Sequence, residues 1–369
     1  MGQAAAGGVS PMKYVAIVTK PKILQQDRML TDADASPIGD NLFLPFVRLA
    51  ERLKSEGIEL HTVDMLPVEK FDAFYFFDMP GKKTEKYFRY AKEHGKPTIL
   101  HVWENHFIAR GNARFDRYAD FDVVLTYNDD AVRDFGCTKV NYGIAFPSDV
   151  PEGLPFADRR FAVMISAPMK RHIPGNVSYL RLRTLDFYAK SHPNQIDLYG
   201  RGWDRGVYRF QDRPEIFRFT HAMFLDKLLP RVRYPFWRGP CVRKRDVLGN
   251  YRFVYCYENT DKIPGYITEK IFDVLMAGAV PVYLNHPSAD RYIPRDTYIN
   301  RLAFGSDAEL HARLSEMDED EWESYRRAGR RFLLEQASET FGIGRFVDCV
   351  SDAVLELVNN AMAEGSEEE

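Results

Sequence analysis

The chain has 369 residues, 45% of them hydrophobic and 28% charged, with a formal net charge of −3. That is apolar material for two cores of ordinary domain size, since single cores stop growing at roughly 250–300 residues, and the near-balanced charge singles out no partner for the chain as a whole. No apolar run approaches the roughly 20 residues of a membrane span, residues 1–12 lack the features of a signal peptide, and the four cysteines show no CxxC spacing, so an anchor, a secretory leader, a disulfide scaffold and a zinc site are disfavoured and a cytoplasmic protein is expected.

Residues 1–12 (MGQAAAGGVSPM) are small and featureless, a disordered lead or an added remnant. Residues 13–19 (KYVAIVT) predict an opening strand, and 41–57 a helix with Leu42, Phe43, Phe46, Ala50 and Leu53 on one face and Gly57 as terminator. Between them the polar loop 21–40 is long enough to be either functional or mobile. Further strands are expected at 58–63, 71–77, 98–103 and 123–127, separated by helices such as 82–94 and 129–135, an alternation that argues for a parallel doubly wound sheet. The Pro- and acid-rich run 147–159 marks a linker. A second α/β set follows, with a strand at 161–166, a helix at 178–190, a strand at 195–199 and a strand at 251–257. The boundaries expected are 13–150 and 151–338 for two α/β domains and 339–369 for a C-terminal helix, with Phe346, Val350, Val354, Leu357 and Val358 on one face, ending in an acidic tail.

The chemistry concentrates in YRFVYCYENTDKIPGYITEKIFDVLMAGAVPVY, residues 251–283. An aromatic and β-branched strand runs into Glu258, Asn259, Thr260 and Asp261, and ligands of open α/β sheets gather at the carboxyl ends of strands. Pro264 and Gly265 make a turn, Thr268 is the expected N-cap of a helix with Ile271, Val274 and Leu275 on its apolar face, and Gly278 stops it. Glu269 and Lys270 then lie in the first turn, beside unpaired N–H groups and the positive end of the dipole, a natural phosphate site. Glu269 is either a stabiliser of that helix end or an acceptor for a ribose diol.

Other constellations resolve differently. Gly200, Gly202 and Gly206 follow a strand but Arg205 stands where a dinucleotide fingerprint needs glycine, which disfavours an NAD-dependent enzyme. Asn128, Asp129 and Asp130 resemble a metal-holding acidic triplet but suit a helix N-cap better, and the nine histidines show no ligand spacing. Glu104 lies just past a strand among His101, Asn105 and His106, where partial burial would bring a carboxylate into the range useful for a base, and Asp78, ending the neighbouring strand, is the next carboxylate to consider. Residues 201–245 carry twelve basic side chains against four acidic, with Tyr234, Phe236 and Trp237 interleaved; this is a solvated face or a surface for an anionic membrane, and no nucleic-acid module accompanies it.

The stretch resembles the donor-binding motif of the α1,3/1,4-fucosyltransferases, glycosyltransferase family 10. The resemblance is carried by Glu258, Asn259, Gly265, Tyr266, Ile267, Thr268, Glu269, Lys270, Ala277, Gly278, Val280, Pro281 and Val282, and continues through Tyr292, Ile293, Pro294 and 298–300. It implies a bacterial-type enzyme of GT-B architecture, two facing Rossmann-like domains, with 13–150 on the acceptor side and 151–338 binding a GDP-sugar. The activity implied is metal-independent, inverting transfer of L-fucose from GDP-fucose to a saccharide or lipid-linked glycan hydroxyl, with α1,3 linkage expected. By the resemblance Glu104 is the general base, Arg183 (or Arg181, the local spacing being loose) contacts the pyrophosphate with Lys270, Glu269 holds the ribose, and Glu258, Asn259, Tyr266 and Thr268 belong to the donor site. No cofactor is implied, and the basic stretch suggests a peripheral place at the inner membrane. The alternatives are a different nucleotide sugar on the same architecture, or a glycan-binding relative without turnover.

Overall fold

The computed structural model describes residues 12–35, 41–168, 175, 177–208, 231–241 and 243–367, with side chains described to residue 360. The chain divides into two compact α/β units, one comprising 1–127, 131–145 and 343–369, the other 128–130 and 146–342.

The first unit is a six-stranded parallel sheet in the order β2-β1-β3-β4-β5-β6. Its strands are β1 (Lys13–Val18), β2 (Ile58–Thr62), β3 (Ala73–Phe77), β4 (Thr98–Val102), β5 (Val123–Thr126) and β6 (Thr138–Lys139). Successive side chains of a strand point to opposite faces, and a parallel sheet is covered on both. In β3, accordingly, Ala73, Tyr75 and Phe77 enter one core while Phe74 and Phe76 enter the other. The first core also holds Phe46, Leu49 and Leu53 of α1 (Leu44–Ser55), and the second holds Phe88 and Ala91 of α2 (Glu85–Glu93). Phe46 meets Phe77, Trp103 and Phe346 edge-on with centroids 5.2–5.4 Å apart.

Part of the long polar loop proves to be packed. Leu24, Met29, Leu30 and Ala35 join the first core, and Asp27 ties the segment to β2 by accepting from Thr62 N at 2.6 Å and pairing with His61 Nδ1 at 2.7 Å. Residues 36–40 lie outside the described residues.

The second unit has a five-stranded parallel sheet. Its strands are β7 (Arg160–Ile165), β8 (Ile196–Tyr199), β9 (Tyr251–Tyr257), β10 (Val280–Leu284) and β11 (Ile299–Asn300), in spatial order β11-β10-β9-β7-β8. Helix α4 (Ser178–Ser191) packs Leu185 and Tyr188 into a core with Phe253, Tyr255 and Tyr257, and is followed in the chain by a short α5 (Arg245–Leu248) before β9. Helix α6 (Glu269–Met276) buries Ile271, Phe272, Val274 and Leu275, and α7 (Asp307–Glu316) and α8 (Glu319–Glu335) follow. Gly278, at φ 63°, ends α6 as its position in the motif predicts. The expected linker is stitched down at this point. Arg159 and Arg326 both donate to Gly278 O at 2.8 Å, and both guanidinium groups lie on the Trp322 ring, 4.9 and 4.8 Å from its centroid.

The chain leaves the second unit and closes the first with α9 (Ile343–Glu367). Phe346, Val347, Val350, Val354 and Val358 of α9 belong to the first core beside Phe46. Of the basic stretch, residues 209–230 and 242 lie outside the described residues.

Candidate functional site

In each sheet the chain reverses direction beside its first strand, and such switch points are where open α/β sheets bind ligands. In the second unit the switch lies between β7 and β9. At the end of β7 the backbone of Gly200 approaches so closely that a Cβ there would sit 1.9 Å from Ser166 O, so only glycine fits, at φ 135°. That close approach is the work of the glycine run after β8, which carries no dinucleotide fingerprint.

At the end of β9, Glu258 is wholly buried and densely partnered. It accepts from Thr268 N at 3.0 Å, Thr268 Oγ1 at 2.9 Å, Tyr283 OH at 3.2 Å and Lys270 Nζ at 2.9 Å. Thr268 stands at the N-cap position of α6, as expected, but its side chain caps nothing. Its hydroxyl is turned onto Glu258 instead. The first-turn N–H groups of α6 therefore keep their dipole end without a side-chain cap, and Lys270 stands next to them. Burial alone would lower the Lys270 pKa, but Glu258 and Glu269 outweigh it and the ammonium is stabilised.

Of the two candidate arginines, Arg181 is the one that converges on this site. Its Nη2 donates to Tyr257 O at 2.6 Å, Asn259 Oδ1 at 3.1 Å and Glu258 O at 3.2 Å. Arg183, the first choice from the motif, is exposed on α4. The reason is helical phase. Thr184, Leu185 and Tyr188 are the buried face of α4, Arg181 shares it at i+3, i+4 and i+7 spacing, and a residue two further on points about 200° away. Burial pushes the Arg181 pKa down while Glu258 opposes the shift. Tyr266 is buried, with Asn259 Nδ2 3.5 Å from its hydroxyl.

Glu269 enters the site with a partner that its motif does not reveal. Lys244 Nζ lies 3.3 Å from Glu269 Oε1 and 2.7 Å from Asp273 Oδ2. Burial would raise the Glu269 pKa, yet Lys270 and Lys244 together hold it down at about 2. No local periodicity marks Lys244 within its basic run, since the contact spans 25 residues.

In the first unit, Glu104 sits past the end of β4, half-buried. Asn105 holds its Oε1 through the backbone N at 2.8 Å and Nδ2 at 2.7 Å. Asp78, in the left-handed region at φ 68°, organises this corner: its Oδ1 accepts from Trp103 N and Glu104 N at 2.9 Å each and from Asn112 Nδ2 at 2.8 Å. Burial raises the Asp78 pKa, against the pull of those donors and of Lys20. Asp78 thus shapes the loop that carries Glu104. His101, which its spacing groups with Glu104, is instead a core residue, buried against Phe46 and Phe346, hydrogen-bonded to Tyr75, and held neutral by burial at a pKa of about 3.

The Asn128–Asp130 segment behaves as the start of a helix, α3 (Asp129–Phe135). Asn128 Oδ1 accepts from Asp130 N at 3.0 Å, while Asp129 is engaged by Tyr292 OH at 2.5 Å and Arg291 Nη2 at 3.0 Å. Among the described residues no group of three or more His, Cys, Asp or Glu side chains is arranged to hold a metal ion, and no helix is long and apolar enough to cross a membrane.

Residues 238–333 match the family model "Glycosyltransferase family 10 (fucosyltransferase) C-term". The chain is 33% identical over 87 residues to an α-(1,4)-fucosyltransferase of Arabidopsis thaliana, covering 22% of this chain and 21% of that protein. To α-(1,3)-fucosyltransferase 7 of Homo sapiens it is 37% identical over 81 residues, covering 21% and 23%. With the mouse form of that enzyme the likeness is 37% over 239 residues, 63% of this chain and 49% of that one. The chain thus spans between about a fifth and a half of these relatives' length. Among solved structures, Anabaena Alr3699/HepE in complex with UDP-glucose aligns with a TM-score of 0.54 at 12% identity, over 93% of this chain and 100% of that one. An α1,3-fucosyltransferase with GDP aligns with a TM-score of 0.50 at 13% identity, over 95% and 92%. At such identities these likenesses show the fold, the paired Rossmann-like units of the GT-B class.

Proposed function

We propose that the chain is an inverting, metal-independent transferase that moves L-fucose from GDP-fucose to a hydroxyl of a saccharide or lipid-linked glycan, forming an α1,3 linkage. The observation that carries the reading is the N-terminus of α6, where Thr268 is turned away onto Glu258 and the lysine and the arginine beside the helix end are Lys270 and Arg181. Helix N–H groups, an ammonium and a guanidinium are the groups that bind a diphosphate. In a single displacement the charge develops on the departing GDP, and Lys270 and Arg181 stabilise it there, the electrostatic work a divalent cation does elsewhere. Glu269 accepts from the ribose, and Asn259 and Tyr266 line the donor. Glu104, its rotamer set by Asn105, takes the acceptor proton.

Calorimetric titration with GDP, UDP and GDP-fucose tests the donor. GDP and GDP-fucose are expected to bind and to raise the melting temperature, as ligands selective for the folded state do. Equal stabilisation by UDP removes the guanine assignment. Turnover that vanishes with EDTA and returns with Mn²⁺ removes the metal-independent one. A peripheral membrane place through 201–245 predicts binding to anionic vesicles that weakens as salt is added, and absence of binding at low salt overturns it.

A further inference from the structure

Glu269 presents a problem that its place in the motif does not solve. It opens α6 with a carboxylate beside the dipole end where, on the reading above, a diphosphate binds, and adjacent to Lys270. Left alone, such a carboxylate would repel the phosphate or fold onto the lysine meant for it.

The structure supplies a third party. Lys244 lies in the turn ahead of α5, between Arg243 and Arg245, which are exposed. Lys244 alone of the three turns inward, with only 23% of its side chain accessible. Its ammonium bridges Glu269 Oε1 at 3.3 Å and Asp273 Oδ2 at 2.7 Å. Those two carboxylates are four residues apart on α6, neighbours on one face, so they form a two-pronged seat for a single cation. Burial would favour the neutral amine; the two carboxylates outweigh it and Lys244 stays charged.

We infer that Lys244 is a positioning residue for nucleotide recognition. It neutralises Glu269 beside the phosphate site and fixes its carboxylate, so that Glu269 accepts hydrogen bonds from the ribose diol of a nucleoside diphosphate while Lys270 stays with Glu258 and the phosphate. Asp273 is the second anchor of the same ammonium. The inference rests on the reading that Glu269 meets ribose.

The test compares GDP with 2′,3′-dideoxy-GDP by titration calorimetry on the full chain. The wild-type protein is expected to bind the dideoxy compound about tenfold or more weakly, because a hydrogen bond to a charged acceptor is lost. In Lys244→Met the preference is expected to collapse to about twofold or less, while Lys244→Arg recovers most of it. A residue that only supports the fold would weaken both nucleotides together and leave their ratio unmoved. Should Lys244→Met fail to fold, Lys244→Met with Asp273→Asn removes one of the stranded carboxylates and gives the same readout. A wild-type ratio in Lys244→Met, alongside a ratio abolished in Glu269→Gln, overturns the role of Lys244 and leaves the ribose contact standing. Equal binding of the two nucleotides by the wild type, or none, overturns the ribose reading and this inference with it.

Discussion

The carboxyl ends of the two sheets solve the same problem, how to hold buried and half-buried carboxylates, by different means. In the second unit, Glu258, Glu269 and Asp273 are met by Lys270 and Lys244, with Arg181 against the Glu258 backbone. In the first, Asp78 and Glu104 are met by amide donors of Trp103, Glu104, Asn105 and Asn112. Cations assembled at one end suit a phosphate leaving group. Amides at the other fix Asp78 and one oxygen of Glu104 in place by hydrogen bonds. On the proposed function, the difference assigns charge stabilisation to the cationic end and proton transfer to the amide end.

The largest expected effect breaks the cationic end. Removing Glu258 as Glu258→Ala takes from the part-buried Lys270 the carboxylate it is hydrogen-bonded to, and breaking a buried pair in this way typically costs about 3–5 kcal/mol. Chemical denaturation measures it, and a loss below about 1 kcal/mol would mean that the ion pair is not what seats the ammonium. At the amide end, Glu104→Gln keeps shape but cannot take a proton, so turnover is expected to fall about 10²- to 10⁴-fold with donor affinity unchanged. Near-normal transfer by a folded Glu104→Gln withdraws the base assignment. Asp78 is not its simple replacement, since Asp78→Asn disturbs the loop that carries Glu104.

The two arginines of α4 sharpen the comparison further. Arg181→Ala is expected to weaken GDP binding about tenfold and Arg183→Ala hardly at all, because only the first shares the buried helix face. The reverse order would restore the motif-based assignment to Arg183.

Acid separates the units by smaller effects. The His101 pKa lies at about 3 in the folded state against an ordinary 6.5, so the stability it contributes is present above pH 6.5 and is lost as pH falls through that window. Glu269 lies at about 2 against 4.5, so its contribution is full above pH 4.5 and fades only below it. Replacing His101 by Gln is expected to flatten the fall in melting temperature from pH 6.5 downward; replacing Glu269 by Gln should lower the melting temperature above pH 4.5, with the difference from wild type shrinking only below pH 4.5. An unchanged profile in His101→Gln contradicts a buried neutral imidazole.

Much of this was legible in the residues themselves. Aromatic and β-branched runs such as AFYFF and YRFVYCY form strands wherever they are buried on both faces, and alternating helices leave a parallel sheet as the natural outcome. The motif around Glu258 and Lys270 set where α6 begins and ends, because a strand, a turn, a helix start and a Gly stop are all local choices. Thr268 shows the limit of that locality: it occupies the N-cap position, yet its hydroxyl goes to Glu258, ten residues earlier. Tertiary packing decided the rest. Arg181 rather than Arg183 reaches the site because the burial phase of α4 is set by Tyr255 and Tyr257 beneath it. Lys244 turns inward because a partner 25 residues away has two carboxylates on one helix face. Helix α9 announced an apolar stripe but not its destination, which is the core around Phe46 in the first unit, some 300 residues back along the chain. Local pattern sets which face of an element is apolar or charged; which partner that face meets depends on contacts distant in sequence, where no spacing rule applies.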